Sequence, residues 1–123
     1  MPVTFETVRK IGLTLPGVEA STAYGSPALK INGKIMAAMA INKSAEPGSL
    51  MIRLNNGDRD ELIAAAPDIY YVTDHYEPYN AMLVRLSRVN ADVLRDLLGM
   101  AHKFVTRNPK TKPARKRRKP MAD

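Results

Sequence analysis

The spacing of apolar positions divides the chain into short blocks. Phe5, Val8, Ile11, Gly12 and Leu15 recur near a 3.6-residue period, which predicts a first helix capped by Thr4 and ended by Pro16-Gly17. Four strand-like pieces follow, Ala20–Tyr24, Ala28–Asn32, Lys34–Ile41 and Ser49–Leu54. They are broken at Gly25-Ser26-Pro27, Asn32-Gly33 and Ala45-Glu46-Pro47-Gly48. Asn32-Gly33 suits a two-residue hairpin turn, because both residues tolerate the positive φ such a turn requires. A second helix has apolar positions Leu62 and Ile63, capping-box spacing between Asp58 and Glu61, and a stop at Pro67. Two more strands, Ile69–Thr73 and Ala81–Ser87, lead to a last helix that starts at Asn90. It is expected to bury Val93, Leu94, Leu97, Leu98, Ala101 and Phe104 or Val105.

Short strands at hairpin spacing interleaved with helices predict an α+β protein: a two-layer sandwich whose mainly antiparallel sheet of about six strands carries its helices on one face. The other face is then left to solvent or a partner. Alternation sends Leu29, Ile31, Leu50, Ile52, Leu54, Met82, Val84 and Leu86 inward, and places Lys30, Arg53 and Arg85 outward with Met51 and Leu83. Such a face suits an anion, a nucleic acid or a second copy of the chain. Equally, long Arg and Lys stems can simply cover an exposed sheet.

Composition narrows the classes. A chain of 123 residues, 45% hydrophobic and 25% charged, has the material for one globular core and not for two. The absence of cysteine excludes disulfides, thiolate nucleophiles and cysteine-ligated metals. No apolar run is long enough to span a membrane and Met1–Glu6 lacks a signal-peptide layout, so a cytoplasmic location with no membrane partner is expected. The net charge of +7 is unevenly placed. Residues 1–106 carry 11 Lys/Arg and 11 Asp/Glu, whereas residues 107–123 carry eight Lys/Arg against Asp123 alone. The chain thus divides into a formally neutral domain, 1–106, and a proline-punctuated basic tail, 107–123, expected to be disordered. Two readings of the tail stand: an electrostatic arm for phosphate backbones, centred on Arg115, Lys116, Arg117, Arg118 and Lys119, or a solubilising extension.

Four motifs, taken in order, resemble the MmcQ/YjbR family. They are Leu15-Pro16-Gly17-Val18-Glu19; Ala23-Tyr24-Gly25-Ser26-Pro27-Ala28-Leu29-Lys30-Ile31-Asn32-Gly33-Lys34; Asp60-Glu61-Leu62-Ile63-Ala64-Ala65-Ala66-Pro67-Asp68; and Asp74-His75-Tyr76-Glu77-Pro78-Tyr79 running into Leu83-Val84-Arg85-Leu86. The resemblance spans about residues 4–105. It implies a frataxin/CyaY-like sandwich and an association with DNA through a proposed "double wing" surface. That family often carries Trp in the His-containing segment, where this chain offers Tyr76 and Tyr79. Frataxin-type iron binding needs an acidic first helix, but here Glu6 is the only acid beside Arg9 and Lys10, so no metal is carried over.

The segment 69–79 holds four of the five tyrosines, with Asp74 and His75. Tyrosines beside basic residues suit base stacking, and they also commonly complete a core rim. His75 has the proton affinity for acid–base work, but its neighbour Asp74 would point to the opposite side of an extended chain. His102, the other histidine, lies far off in sequence, without the spacing of a metal site. No serine sits in a nucleophile elbow, and Gly33-Lys34 lacks the upstream glycine of a phosphate-binding loop.

The leading reading is therefore a non-enzymatic protein, without cofactor, that binds nucleic acid, DNA in the first place, with low specificity. The tail supplies phosphate contacts, and Lys30, Lys34, Arg53, Arg85, His75, Tyr76 and Tyr79 form a secondary surface. The alternative is a protein-interaction or small-ligand module that docks a partner or second copy on the open sheet face. A monomer or weak homodimer fits either.

Overall fold

The structure, a computed structural model, describes residues 3–107. Thr4, in extended backbone, precedes α1 (Phe5–Gly12), whose Val8, Ile11 and Gly12 are buried. Two hairpins follow, built from β1 (Val18–Ala23), β2 (Ser26–Ile31) and β3 (Lys34–Met39). Asn32-Gly33 makes the second turn as expected, with φ of 51° and 80°. The first turn is Tyr24-Gly25, with φ of 54° and 79°, and Ser26-Pro27 belongs to the strand after it. The expected break at Gly25-Ser26-Pro27 is thus displaced: a type I′ two-residue loop needs both central residues at positive φ, and Tyr24 adopts it.

A long connection leads from β3 to β4 (Ser49–Arg53), and α2 (Asn56–Ala65) follows. Its cap is Asn55, whose Oδ1 accepts from the Asp58 N–H at 2.8 Å, so Asp58 lies in the first turn and is not the cap. β5 is only Tyr70–Tyr71. A 3-10 turn at Glu77–Tyr79 precedes β6 (Ala81–Arg85), and a second, Leu86–Arg88, leads to α3 (Ala91–Arg107). Asn90 caps α3 by accepting from the Val93 N–H at 2.9 Å. The helix buries Leu94, Leu97, Leu98, Ala101 and Val105.

The six strands form one antiparallel sheet in the order β1-β2-β3-β4-β6-β5. The helices pack on one face over the main core, which includes Leu29, Met36, Leu50, Ile52, Met82, Val84, Leu94 and Leu98. This is the expected α+β sandwich. One irregularity decides what the opposite face looks like. Leu29 pairs with Ala37 and Lys30 with Ile35, so Met36 is an extra residue, a β-bulge. The bulge turns Met36 and Ala37 both toward the main core, and leaves Ile35 and Ala38 with a small second cluster of Ala23, Ala28 and Met51.

The opposite face is not open throughout. The β3–β4 connection, residues 40–48, crosses over β5 and β6. Tyr71 Oη accepts from the Glu46 N–H at 2.8 Å and lies 2.6 Å from Ser49 Oγ. Ser44 Oγ lies 2.8 Å from Thr73 Oγ1, and the Asn42 N–H donates to Tyr76 Oη at 3.4 Å. Leu83, expected on the uncovered surface, is accordingly fully buried. Of the basic segment, Arg107 ends α3, while residues 108–123, with Arg115, Lys116, Arg117, Arg118 and Lys119, lie outside the described residues.

Candidate binding groove

What remains uncovered is a groove of about 750 Å³ on the face away from the helices. Its floor is made of small or flat side chains, Ala23, Ala38 and Ala81 with Ile35 and Met51. Three segments wall it: the β1–β2 turn with Tyr24, the β3–β4 connection with Ile41, Asn42 and Lys43, and the segment before β6 with His75, Tyr76 and Tyr79. The volume is within the 300–1,000 Å³ usual for small-molecule sites. Among the described residues, no carboxylate lines it.

Arg53 is the chemically unusual member. It closes β4 opposite Ala81, with its guanidinium carbon 5.8 Å from the centre of the Phe104 ring. Its Nε is buried and has no hydrogen-bond partner among the described residues. Burial pulls its pKa below the usual arginine range, although an arginine so placed stays charged near neutrality. A desolvated guanidinium N–H without an acceptor is costly, and as a lining residue Arg53 brings a positive charge to the groove, where an anion would be favoured.

The aromatic wall is held from behind. The His75 ring meets Tyr76 edge-on at 4.8 Å between centroids and lies 6.2 Å from Tyr79. Among the described residues, Asp74 makes no hydrogen bond or ion pair that would orient His75. The segment is pinned by Arg59, which is 4% exposed: its Nη1 donates to the Glu77 carbonyl at 3.0 Å, Nη2 to Glu77 Oε2 at 3.3 Å, and Nε to Asp60 Oδ1 at 3.1 Å. Arg59 thus ties α2 to the 3-10 turn that presents Tyr79.

A family model described as YjbR matches residues 13–104. The chain belongs to the YjbR family. A crystal structure of the Deinococcus radiodurans protein DR2400, with the DUF419 family-model domain, superposes on it with a TM-score of 0.71 at 22% identity. The superposition covers 89% of this chain and 83% of that one, and the two share their fold. No curated protein matches the chain. Among the described residues of this YjbR chain, no helix is long and apolar enough to cross a membrane.

The residues singled out from the sequence have different fates. Arg53, His75, Tyr76 and Tyr79 come together in the groove. Lys30, cross-strand partner of Ile35, stands beside the groove without lining it. Lys34 is opposite Ile31, a main-core residue, and so belongs to the helix side of the sheet. Arg85 is withdrawn altogether. Its Nη2 and Nε donate to Glu46 at 2.7 and 3.0 Å, Nη1 donates to the Pro67 carbonyl, and the guanidinium lies 4.2 Å from the centre of the Tyr71 ring. It is also remote from Arg53, whose register partner Ala81 is four residues away along β6, roughly 13 Å at strand rise. Two contributors, Tyr24 and Lys43, escaped sequence reading. The signal for Tyr24 was the Tyr-Gly pair between two alternating segments, a turn dipeptide in which tyrosine is unusual.

Proposed function

We propose that this protein is a binding module, not a catalyst, and that it holds single-stranded nucleic acid. The groove takes an unstacked nucleotide while the basic segment 107–123 neutralises neighbouring phosphates. The observation that carries the reading is Arg53: an arginine that lines an apolar groove ringed by tyrosines, its buried Nε without a hydrogen-bond partner and the groove without a lining carboxylate among the described residues. Tyrosine rings stack on any base, at about 1–3 kcal/mol each, and give little sequence preference. Duplex DNA keeps its bases paired and inside the helix, so it can reach the basic segment but not the groove. With Arg85 paired to Glu46, the sheet face is not a broad cationic surface. Phosphate attraction therefore falls to the basic segment.

Fluorescence anisotropy with a labelled oligothymidylate and a labelled duplex, each at two salt concentrations, tests this. Changing Arg115, Lys116, Arg117, Arg118 and Lys119 to Gln should weaken both complexes and reduce the single-strand salt slope by about 3.5, at roughly 0.7 per phosphate released. Arg53→Gln should weaken only the single-strand complex, by about tenfold, the loss of one charge-assisted hydrogen bond. Equal affinities for strand and duplex, unmoved by Arg53→Gln, would remove the groove from the function. A second reading, docking of another copy of the chain, is favoured by the exposure of Ile41 (57%) and Tyr79 (58%) at the groove rim. Light scattering on the same samples distinguishes it: a dimer that oligothymidylate does not dissociate assigns the groove to self-association.

A further inference from the structure

We infer that Tyr24 is a ligand-contacting residue, the ring that closes the groove over its occupant. The occupant is a planar ring bearing an anionic group, a single nucleotide unit either free or within a strand. The inference rests on the groove reading above and deepens it.

The two hairpin turns serve as each other's control. Both are two-residue loops with nearly the same backbone, 51° and 80° in φ at Asn32-Gly33 against 54° and 79° at Tyr24-Gly25. Asn suits the first position because its short side chain tolerates the left-handed region, whereas a bulky tyrosine there is an outlier. Packing does not compensate for it. Tyr24 is 87% exposed and makes no hydrogen bond or ring contact among the described residues. Backbone kept in an unfavourable region without structural return is a feature of ligand clamps. The exposed ring stands at the lip of the groove.

The groove's chemistry specifies the occupant. Tyr24 and Tyr79 offer apolar ring faces, while Tyr76 already uses its hydroxyl to accept from Asn42. Arg53 and Lys43 offer positive charge with no lining carboxylate among the described residues to compete. Neither an uncharged ring nor a bare anion satisfies both halves; an aromatic anion does.

The test uses the full chain and three variants, Tyr24→Asn, Tyr24→Phe and Arg53→Gln. Calorimetric titration employs adenosine monophosphate, adenosine, inorganic phosphate and oligothymidylate, and each protein's thermal melt is recorded. Tyr24→Asn should melt higher, by about 5 °C, yet bind about tenfold more weakly. Tyr24→Phe should bind within twofold of the original chain, since the ring face is what acts. Adenosine and phosphate should each bind at least tenfold more weakly than adenosine monophosphate. Loss confined to oligothymidylate identifies the occupant as part of a strand, and loss for adenosine monophosphate as well admits the free nucleotide. Unchanged binding by Tyr24→Asn, or a lower melt, overturns the assignment of Tyr24. If Arg53→Gln still weakens binding then, the groove reading survives. If neither substitution matters, the groove reading falls too.

Discussion

Gly12 sits where α1 crosses β2, and a Cβ added there would overlap Cδ1 of Leu29, which is fully buried. Its place on the apolar stripe of the first helix marked it as core-facing, but the need for glycine comes from a contact seventeen residues along. Gly12→Ala should therefore destabilise the protein by about 1 kcal/mol, the lower end of overpacking costs, because a helix-favouring residue offsets part of the strain. Urea unfolding measures it, and an equal or greater stability would contradict the packing described. The arginines teach the same lesson. Arg53, Arg59 and Arg85 are equivalent on paper, yet one lies over Phe104 with an Nε that has no hydrogen-bond partner among the described residues, one is buried on Glu77 and Asp60, and one is paired with Glu46. Glu77 lies 18 residues from Arg59 and Glu46 lies 39 residues from Arg85. No local pattern reports that.

Among the elements, those defined by their own residues were legible. The amphipathic spacing of α3 and its Asn90 cap, the Asn32-Gly33 turn and the alternation of β4 all read directly. The bulge at Met36 and the course of the β3–β4 connection were not legible, because both arise from pairing with distant strands. Together they shape the groove. The bulge brings Ala38 to its floor, and the connection covers Leu83 and supplies Lys43. That connection is latched by Glu46, whose hydrogen bond to Arg85 holds its carboxyl below the usual 4.5. A carboxylate with a depressed folded pKa adds stability above its unfolded value. That stability is lost as the pH falls through the folded pKa. Glu46→Gln should accordingly lower the melting temperature near neutrality and converge with the original chain once the pH has fallen below the lowered folded pKa of Glu46. A constant difference across that range would show that the latch is not electrostatic.

At the scale of the molecule, the fold and the site share one cause. All three helices gather on one face of a six-stranded sheet, and the connection that crosses the other passes over β5 and β6. The groove is the remainder, floored by alanines that leave space and walled by rings that can fill it. The balance of charge over residues 1–106 was legible from composition, and so was the concentration of surplus cations beyond Thr106. The groove was legible only in fragments: the tyrosine-rich segment stood out, whereas the tip of the first hairpin did not. The central claim is that Arg53 and the surrounding rings receive the ligand. Nitrogen–proton correlation spectra, recorded while oligothymidylate is added to the full chain, test it most directly. The account predicts that the Arg53 Nε–H signal and the amides of Tyr24, Lys43, His75 and Tyr79 shift together. Shifts confined to residues beyond Thr106, with the Arg53 signal unmoved at saturation, would contradict it.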